Sequence, residues 1–548
     1  MMPIPTKHSR SHLPRTAVLR PGFVAAAAGV CPGWALRLLA LLCVLGLCPA
    51  RMTAASPNIL LIIADDYGAD SSLLYNSAAT GASLPPTPNI TALAANGVVF
   101  RNAYANPVCS PTRACLITGR HAFRTGIGDV IAGAGGTVLT MAEFTLPEAF
   151  AANPSLGYQL AHFGKWHLGN GVNSPNTIGG WPHYAGSLVG AVANYTNWTK
   201  TVNGVSTANN TNYATTDLVN DAIAWIQARG AQPWFAWIAF NAPHTPFHKP
   251  PAGLAPHYAA LSGTQQNINA NPRPYFEAAT EAMDTEIGRL LAAVNRANTH
   301  IIFLGDNGTP TQVLQPPFPA GRGKDTLYEG GVRVPFLVAG PAVANPGRTN
   351  DTLVHAVDVY STVLDLAGIN AASTVPPGVT LDSQSLLPML SSSSTPARWA
   401  YAEKFGTETA SPDGRMLRGD SYKLIRFAAG TDEFYDLQAD PTERTNLLLA
   451  PLDAARRQQY DRLAFRLAGY STNTPPRILS QRWNGTEFSL SVTQAAGASF
   501  ALWRCSDPTT GLWSPVTDAR VGILNASVTL TDPAPLAARA FYSVVKSP

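Results

Sequence analysis

From about residue 57 to 370, short apolar runs alternate with stretches where apolar residues recur at three- and four-residue spacing. The runs predict strands over 58–64, 158–163, 234–240, 300–304 and 335–339, and the stretches predict helices over 89–95, 217–228, 275–295 and 357–366. Such alternation is the signature of an α/β sheet. Over 400–447 the pattern changes, with Tyr422-Lys423-Leu424-Ile425 and Glu433-Phe434-Tyr435-Asp436-Leu437 resembling short antiparallel strands, and a terminal helix is expected over 452–467. After Thr474-Pro475-Pro476 the period becomes two, in Phe488/Leu490/Val492, Phe500/Leu502, Val528/Leu530 and Tyr542/Val544, with turns at Asn484-Gly485 and Asp507-Pro508. Residues 475–548 therefore read as a small all-β appendage.

Composition sharpens this picture. The 548 residues are 46% hydrophobic and 13% charged, about half the usual charged share, which excludes a disordered or polyelectrolyte chain. The formal charge of +4 comes from the first 50 residues, where Lys7, Arg10, Arg15, Arg20 and Arg37 meet no acid. Beyond them 33 basic side chains face 34 acidic ones, so no basic face for nucleic acid is expected. Residues 1–50 have the basic start, apolar run (38–48) and small-residue end of a signal peptide. That run is about half of the ~20 residues a bilayer span needs, so the expectation is export to the periplasm or medium without a membrane anchor. Cys31, Cys43 and Cys48 would leave with the leader; Cys109, Cys115 and Cys505 are too few for a disulfide framework.

The chemistry gathers at strand ends. Residues 60–64 run into Asp65-Asp66, 301–304 into Gly305-Asp306-Asn307-Gly308, 158–163 into Gly164-Lys165-Trp166-His167, and 234–240 into Pro243-His244. Ligand sites of open α/β sheets lie at the carboxyl ends of strands, so these groups form one candidate site. Asp65, Asp66, Asp306 and Asn307 offer only oxygen, which suits a hard divalent cation. Taken singly, Asp-Asp also reads as a helix cap and Asp-Asn-Gly as a turn. In the segment 109–120, Pro111 suits a first helical position and Gly119 a helix stop, which sets Cys109 near a helix N-terminus that favours anions. Arg113, four residues on, shares its face and is able to hold an oxyanion beside it; Cys115 lies around the helix, as packing.

The run Cys109-Ser110-Pro111-Thr112-Arg113, followed by Leu116, Thr118, Gly119 and Arg120, resembles the signature of the type I sulfatases, members of the alkaline phosphatase superfamily. Asp65-Asp66, Gly164-Lys165-Trp166-His167-Leu168-Gly169, His244-x-Pro246, Asp306-Asn307-Gly308, Gly323-Lys324, Glu329 to Pro335, and Tyr435-Asp436-Leu437 with Asp440-Pro441 and Glu443 follow in the family's order. The resemblance covers roughly 56–468. It implies an alkaline-phosphatase-like α/β fold: a central mixed sheet flanked by helices over 56–398, a smaller antiparallel-sheet subdomain over 399–470, and the appendage outside. It further implies that Cys109 is oxidised to formylglycine by a formylglycine-generating enzyme. One Ca²⁺ would be held by Asp65, Asp66, Asp306, Asn307 and the modified Cys109. Arg113 would anchor the aldehyde hydrate, Lys165 and Lys324 would bind sulfate oxygens, and His167 and His244 would move protons.

Those roles make chemical sense. A sulfate monoester is an anion that repels nucleophiles, so metal and ammonium charges must offset its oxygens. One hydroxyl of an aldehyde hydrate attacks sulfur while His244 protonates the departing alcohol; His167 then takes the other hydroxyl's proton and sulfate leaves. The substrate implied is a sulfated small molecule or glycan. Two other readings stay open at this stage: a phosphodiesterase or phosphonate monoester hydrolase of the same superfamily, and a catalytically silent exported glycan-binding protein.

Overall fold

The computed structural model describes residues 56–132, 137–406, 412–470 and, with short interruptions, 478–547. The expected leader with its three cysteines, the boundary at Thr474-Pro475-Pro476, and Gly485 and Pro508 of the two expected turns lie outside the described residues.

Ten strands form one mixed sheet: β1 (Asn58–Ala64), β2 (Gly97–Tyr104), β3 (Gln159–Gly164), β4 (Tyr184–Gly186), β5 (Trp198–Val202), β6 (Val205–Asn210), β7 (Trp234–Ala239), β8 (Thr299–Gly305), β9 (Phe336–Ala339) and β10 (Arg348–His355). Their order is β10-β2-β9-β8-β1-β7-β3-β4-β5-β6. β1 lies between β8 and β7, parallel to both, and β3 continues parallel beyond β7. β9 runs antiparallel to β8 and β2, which makes the sheet mixed.

From Ile59 to Ala64 β1 is apolar and buried at every position because both faces of the sheet are covered. Ile59, Leu61 and Ile63 pack into one core with Leu116 and Ile117 of the helix Cys109–Thr118 and Val359 of the helix Asp358–Ala367. Leu60 and Ile62 pack into the opposite core with Leu218 of the helix Ala214–Gln227 and Met283 of the helix Arg273–Ala292. The architecture is helix–sheet–helix with β1 at its centre.

A second, four-stranded antiparallel sheet follows: β11 (Ala400–Lys404), β12 (Gly414–Arg418), β13 (Tyr422–Phe427) and β14 (Asp432–Asp436), with the helix Ala454–Ala468 against it. The appendage holds two small sheets around Leu490, Val492, Leu502, Val528 and Leu530. Among the described residues, no helix is long and apolar enough to cross a membrane.

Candidate active site

Backbone bonds carry the sheet past its last strand residues and align the polar segments. The Asp306 N–H donates to Ala64 O (3.0 Å), the Asp65 N–H to Ala242 O (3.1 Å) and the Lys165 N–H to Ala239 O (2.9 Å). Gly164, at φ +96°, makes the close turn into Lys165; a Cβ there would meet Ala239 O at 2.0 Å. Asp66 and His167 sit at φ 66° and 54°, conformations that non-glycine residues adopt rarely and that concentrate at functional sites.

Cys109 opens its helix, with Val108 as N-cap, and Gly119 ends it at φ +70°. Pro111 is thus the third helical residue, not the first as expected, because the helix begins at the cysteine itself. Cys109 Sγ and one oxygen from each of Asp65 and Asp306 lie within 4.8 Å of one another. Arg113 donates from Nη2 to Asp306 Oδ2 (2.7 Å) and from Nη1 to Lys165 O (2.9 Å), so its fork fixes two neighbouring segments. The lysines meet the acids directly: Lys165 Nζ lies 2.6 Å from Asp65 Oδ2, and Lys324 Nζ 2.6 Å from Asp66 Oδ1. Asn307 Nδ2 donates to the same Asp66 oxygen (2.7 Å), and His244 Nε2 stands 3.6 Å from Asp66 Oδ2. These contacts join every residue named in advance for this site except His167, whose imidazole feels the charges of Lys165, Arg113 and Lys324.

Burial and charge set the ionisation. Burial, with the Asp306 charge added, lifts the Asp65 carboxyl to about 8. Burial works against the Asp66 carboxylate too, yet His244 and Lys324 hold it down at about 2. Burial brings the His244 imidazole down to about 3 despite Asp66, so near neutrality Lys324 and then Lys165 are the charges that keep Asp66 ionised. Burial likewise raises the Cys109 thiol, although both lysines oppose this. Asp65 Oδ1 and Asn307 Oδ1 are buried without a hydrogen-bond partner. Crowded carboxylates and two orphaned oxygens fit a hard cation, because such groups are destabilising unless a charge or donor meets them.

Hydrogen bonds also fix the imidazole tautomers. His167 Nε2 donates to Ile131 O (3.3 Å), which leaves Nδ1 as a buried lone pair without a partner. His244 Nδ1 donates to Thr245 O (2.8 Å), which turns its Nε2 lone pair toward Asp66.

The Sulfatase family profile matches residues 57–369. The chain belongs to the sulfatase family, the sulfuric ester hydrolases. A second profile, described as N-sulphoglucosamine sulphohydrolase, C-terminal, matches residues 323–466 of this sulfatase. Arylsulfatase J of Mus musculus is 30% identical over 332 residues, covering 57% of this chain and 53% of that protein, so the match spans about half of that relative's length. The arylsulfatase of Klebsiella aerogenes is 26% identical over 435 residues, covering 61% of this chain and 90% of its own. Among solved structures, Ps i-CgsB superposes with a TM-score of 0.64 at 25% identity, covering 76% of this chain and 93% of that one.

The sulfatase site also uses residues that the sequence did not single out. Ser110 Oγ donates to His167 O (3.0 Å) and accepts from the Ile131 N–H (3.1 Å), which joins both ends of the His167 contact. Tyr195 OH donates to Asn241 O (2.7 Å) and His244 O (2.8 Å), clamping the loop that bears His244. Trp181 and Trp198 are buried and pack in the two cores.

Proposed function

We propose that this enzyme hydrolyses sulfate monoesters of aryl alcohols or carbohydrates, with Cys109 matured to formylglycine and one Ca²⁺ held by Asp65, Asp66, Asp306, Asn307 and residue 109. The observation that carries this reading is the meeting of Cys109 Sγ with oxygens of Asp65 and Asp306 within 4.8 Å, in a family whose members cleave sulfate esters. The similarity to human N-acetylgalactosamine-6-sulfatase, 29% identical over 368 residues, supports a sulfated sugar as substrate. When present, Ca²⁺ supplies positive charge for the sulfate oxygens, and the hydrated aldehyde supplies two hydroxyls on one carbon.

Lys165 and Lys324 are ammonium groups already held at the acids' edge, where they donate hydrogen bonds to sulfate oxygens and offset the charge that repels attack. Arg113 holds Asp306 and the Lys165 backbone in register. The His167 lone pair at Nδ1 suits a general base. His244 is aimed through Nε2, and a bound sulfate ester's negative charge raises the low pKa of that imidazole, so it can carry the proton the leaving alcohol needs. Export after loss of the 1–50 leader and a separate formylglycine-generating enzyme complete the proposal.

Mass spectrometry of the peptide spanning residue 109 tests it. Active preparations should carry an aldehyde in place of the thiol, and Cys109→Ser should fold yet lose turnover of aryl sulfates. Full activity from a homogeneous thiol overturns the mechanism, and faster turnover of the matching aryl phosphate overturns the substrate class.

A further inference from the structure

A cavity of about 150 Å³ lies between the start of the helix Asp358–Ala367 and the terminal helix Ala454–Ala468. Its polar lining includes His121, His355, Asp358, Asp382, Arg398 and Arg466, none of which belongs to the Cys109 cluster. The volume holds about five waters at ~30 Å³ each, or one tetrahedral oxyanion.

Its acids are already satisfied. Asp358 accepts from Arg398 Nη2 (2.7 Å), the Gln384 N–H (3.0 Å) and the His355 N–H (2.9 Å). Asp382 accepts from Arg124 Nε (2.8 Å) and the His121 N–H (2.9 Å). Donors are what remain. The Val357 N–H donates to His355 Nδ1 (3.0 Å), so the imidazole proton sits on Nε2, and that buried N–H has no partner. Arg398 Nη1 and His121 Nδ1 are also buried and unpartnered. His355 is 3% exposed and His121 5%. Arg398 is matched by Asp358 and Asp382 by Arg124, so the exposed Arg466, 5.0 Å from the centre of the Trp399 ring, adds a positive charge with no carboxylate in ion-pair reach among the described residues. The ten-residue helix that starts at Asp358 points its positive end the same way. The lining favours an anion over a cation, since the lone pair of His355 is taken, its other nitrogen bears hydrogen, and Asp358 and Asp382 are each matched by an arginine.

We propose that this cavity binds a small oxyanion, sulfate or phosphate, and that the bound anion ties the terminal helix of the C-terminal sheet to the α/β domain. Ligands that bind only the folded state stabilise it by mass action; at a concentration tenfold above Kd, the folded-to-unfolded ratio rises about elevenfold.

The test is thermal unfolding of the full chain in sodium sulfate, and separately in sodium phosphate, against sodium chloride at equal ionic strength. His355→Asn keeps an acceptor for the Val357 N–H and removes the Nε2 donor. Arg466→Gln removes the charge at the exposed rim, so it serves even if the first variant fails to fold. A saturable rise in Tm is expected for the wild type with at least one of the two anions, and a smaller rise in both variants, while inhibition of aryl sulfate turnover by sulfate, which reports the Cys109 cluster, stays unchanged in them. A saturable rise as large in Arg466→Gln as in the wild type overturns the site, because it then belongs wholly to the Cys109 cluster. A rise that does not saturate, or none at all, also overturns it, as the cavity then holds only water.

Discussion

A Cβ at Gly190 would fall 2.5 Å from Cε1 and 2.6 Å from Nε2 of His167, so the bare backbone there is what lets the imidazole rest against Ile131 O. Gly190→Ala should push the ring from that acceptor and lower kcat at least tenfold with little change in KM, since a positioned base contributes roughly 10²–10⁴-fold. Steady-state kinetics on an aryl sulfate decide it; an unchanged kcat would mean that His167 does not serve as base. Asp306→Ala removes a proposed oxygen ligand and the partner of Arg113 together. Calcium content and activity should fall in parallel, and calcium retained at one per chain would remove Asp306 from the ligand set. At this scale the acids, lysines and histidines were legible because their side-chain chemistry is visible in the sequence. Gly190, Ser110 and Tyr195 were not, because each acts through a space or a backbone carbonyl that only the folded chain creates.

Among elements, strands with continuous apolar runs were the readable ones: β1 spans the expected residues and β7 ends one residue early. β6 (Val205–Asn210) escaped notice because it is mostly exposed and polar, held by cross-strand hydrogen bonds that leave no hydrophobic period. β2 escaped because polar Arg101 and Asn102 interrupt its apolar run. The second sheet was foreseen only through β13 and β14, yet β11 makes its junction with the α/β domain. There Glu403 accepts from the Phe123 N–H (2.6 Å) and Tyr401 OH (2.8 Å), and burial pushes its carboxyl from 4.5 up to about 7. The folded state keeps a proton that the unfolded chain releases near 4.5, so stability contributed by this group falls as pH rises between those values and stays low above them. Glu403→Gln imitates the protonated form and should flatten the decline in Tm between about pH 4.5 and pH 7, with Glu443, also raised to about 7, and Asp65 leaving a residual slope. An identical decline in both proteins would show that Glu403 is ionised throughout.

At the scale of the whole molecule, the appendage meets the rest of the chain through aromatic contacts on the terminal helix. Phe465 stacks on Trp513 at 4.8 Å and meets Trp503 edge-on at 5.2 Å. The proposed catalytic and metal-binding residues all lie between Asp65 and Lys324, and the appendage has its own core. Truncation after residue 473 should therefore leave turnover of a small aryl sulfate near that of the full chain. It should lower Tm and promote association, because Phe465 loses its cover. Kinetics beside thermal unfolding separate the two effects, and a collapsed rate with calcium unchanged would show that the appendage shapes the site.

Cys109 keeps 1% of its surface exposed, and every residue of its helix is buried. An enzyme that oxidises this sulfur must grip the side chain, and the finished sheet encloses it. On the proposed reading the order of events is fixed, with oxidation first and closure second. On that reading a copy that folded around an intact thiol would be sealed with it and would stay inert. The fraction of working molecules would then be decided by a race during synthesis, which no later supply of the oxidising enzyme would change.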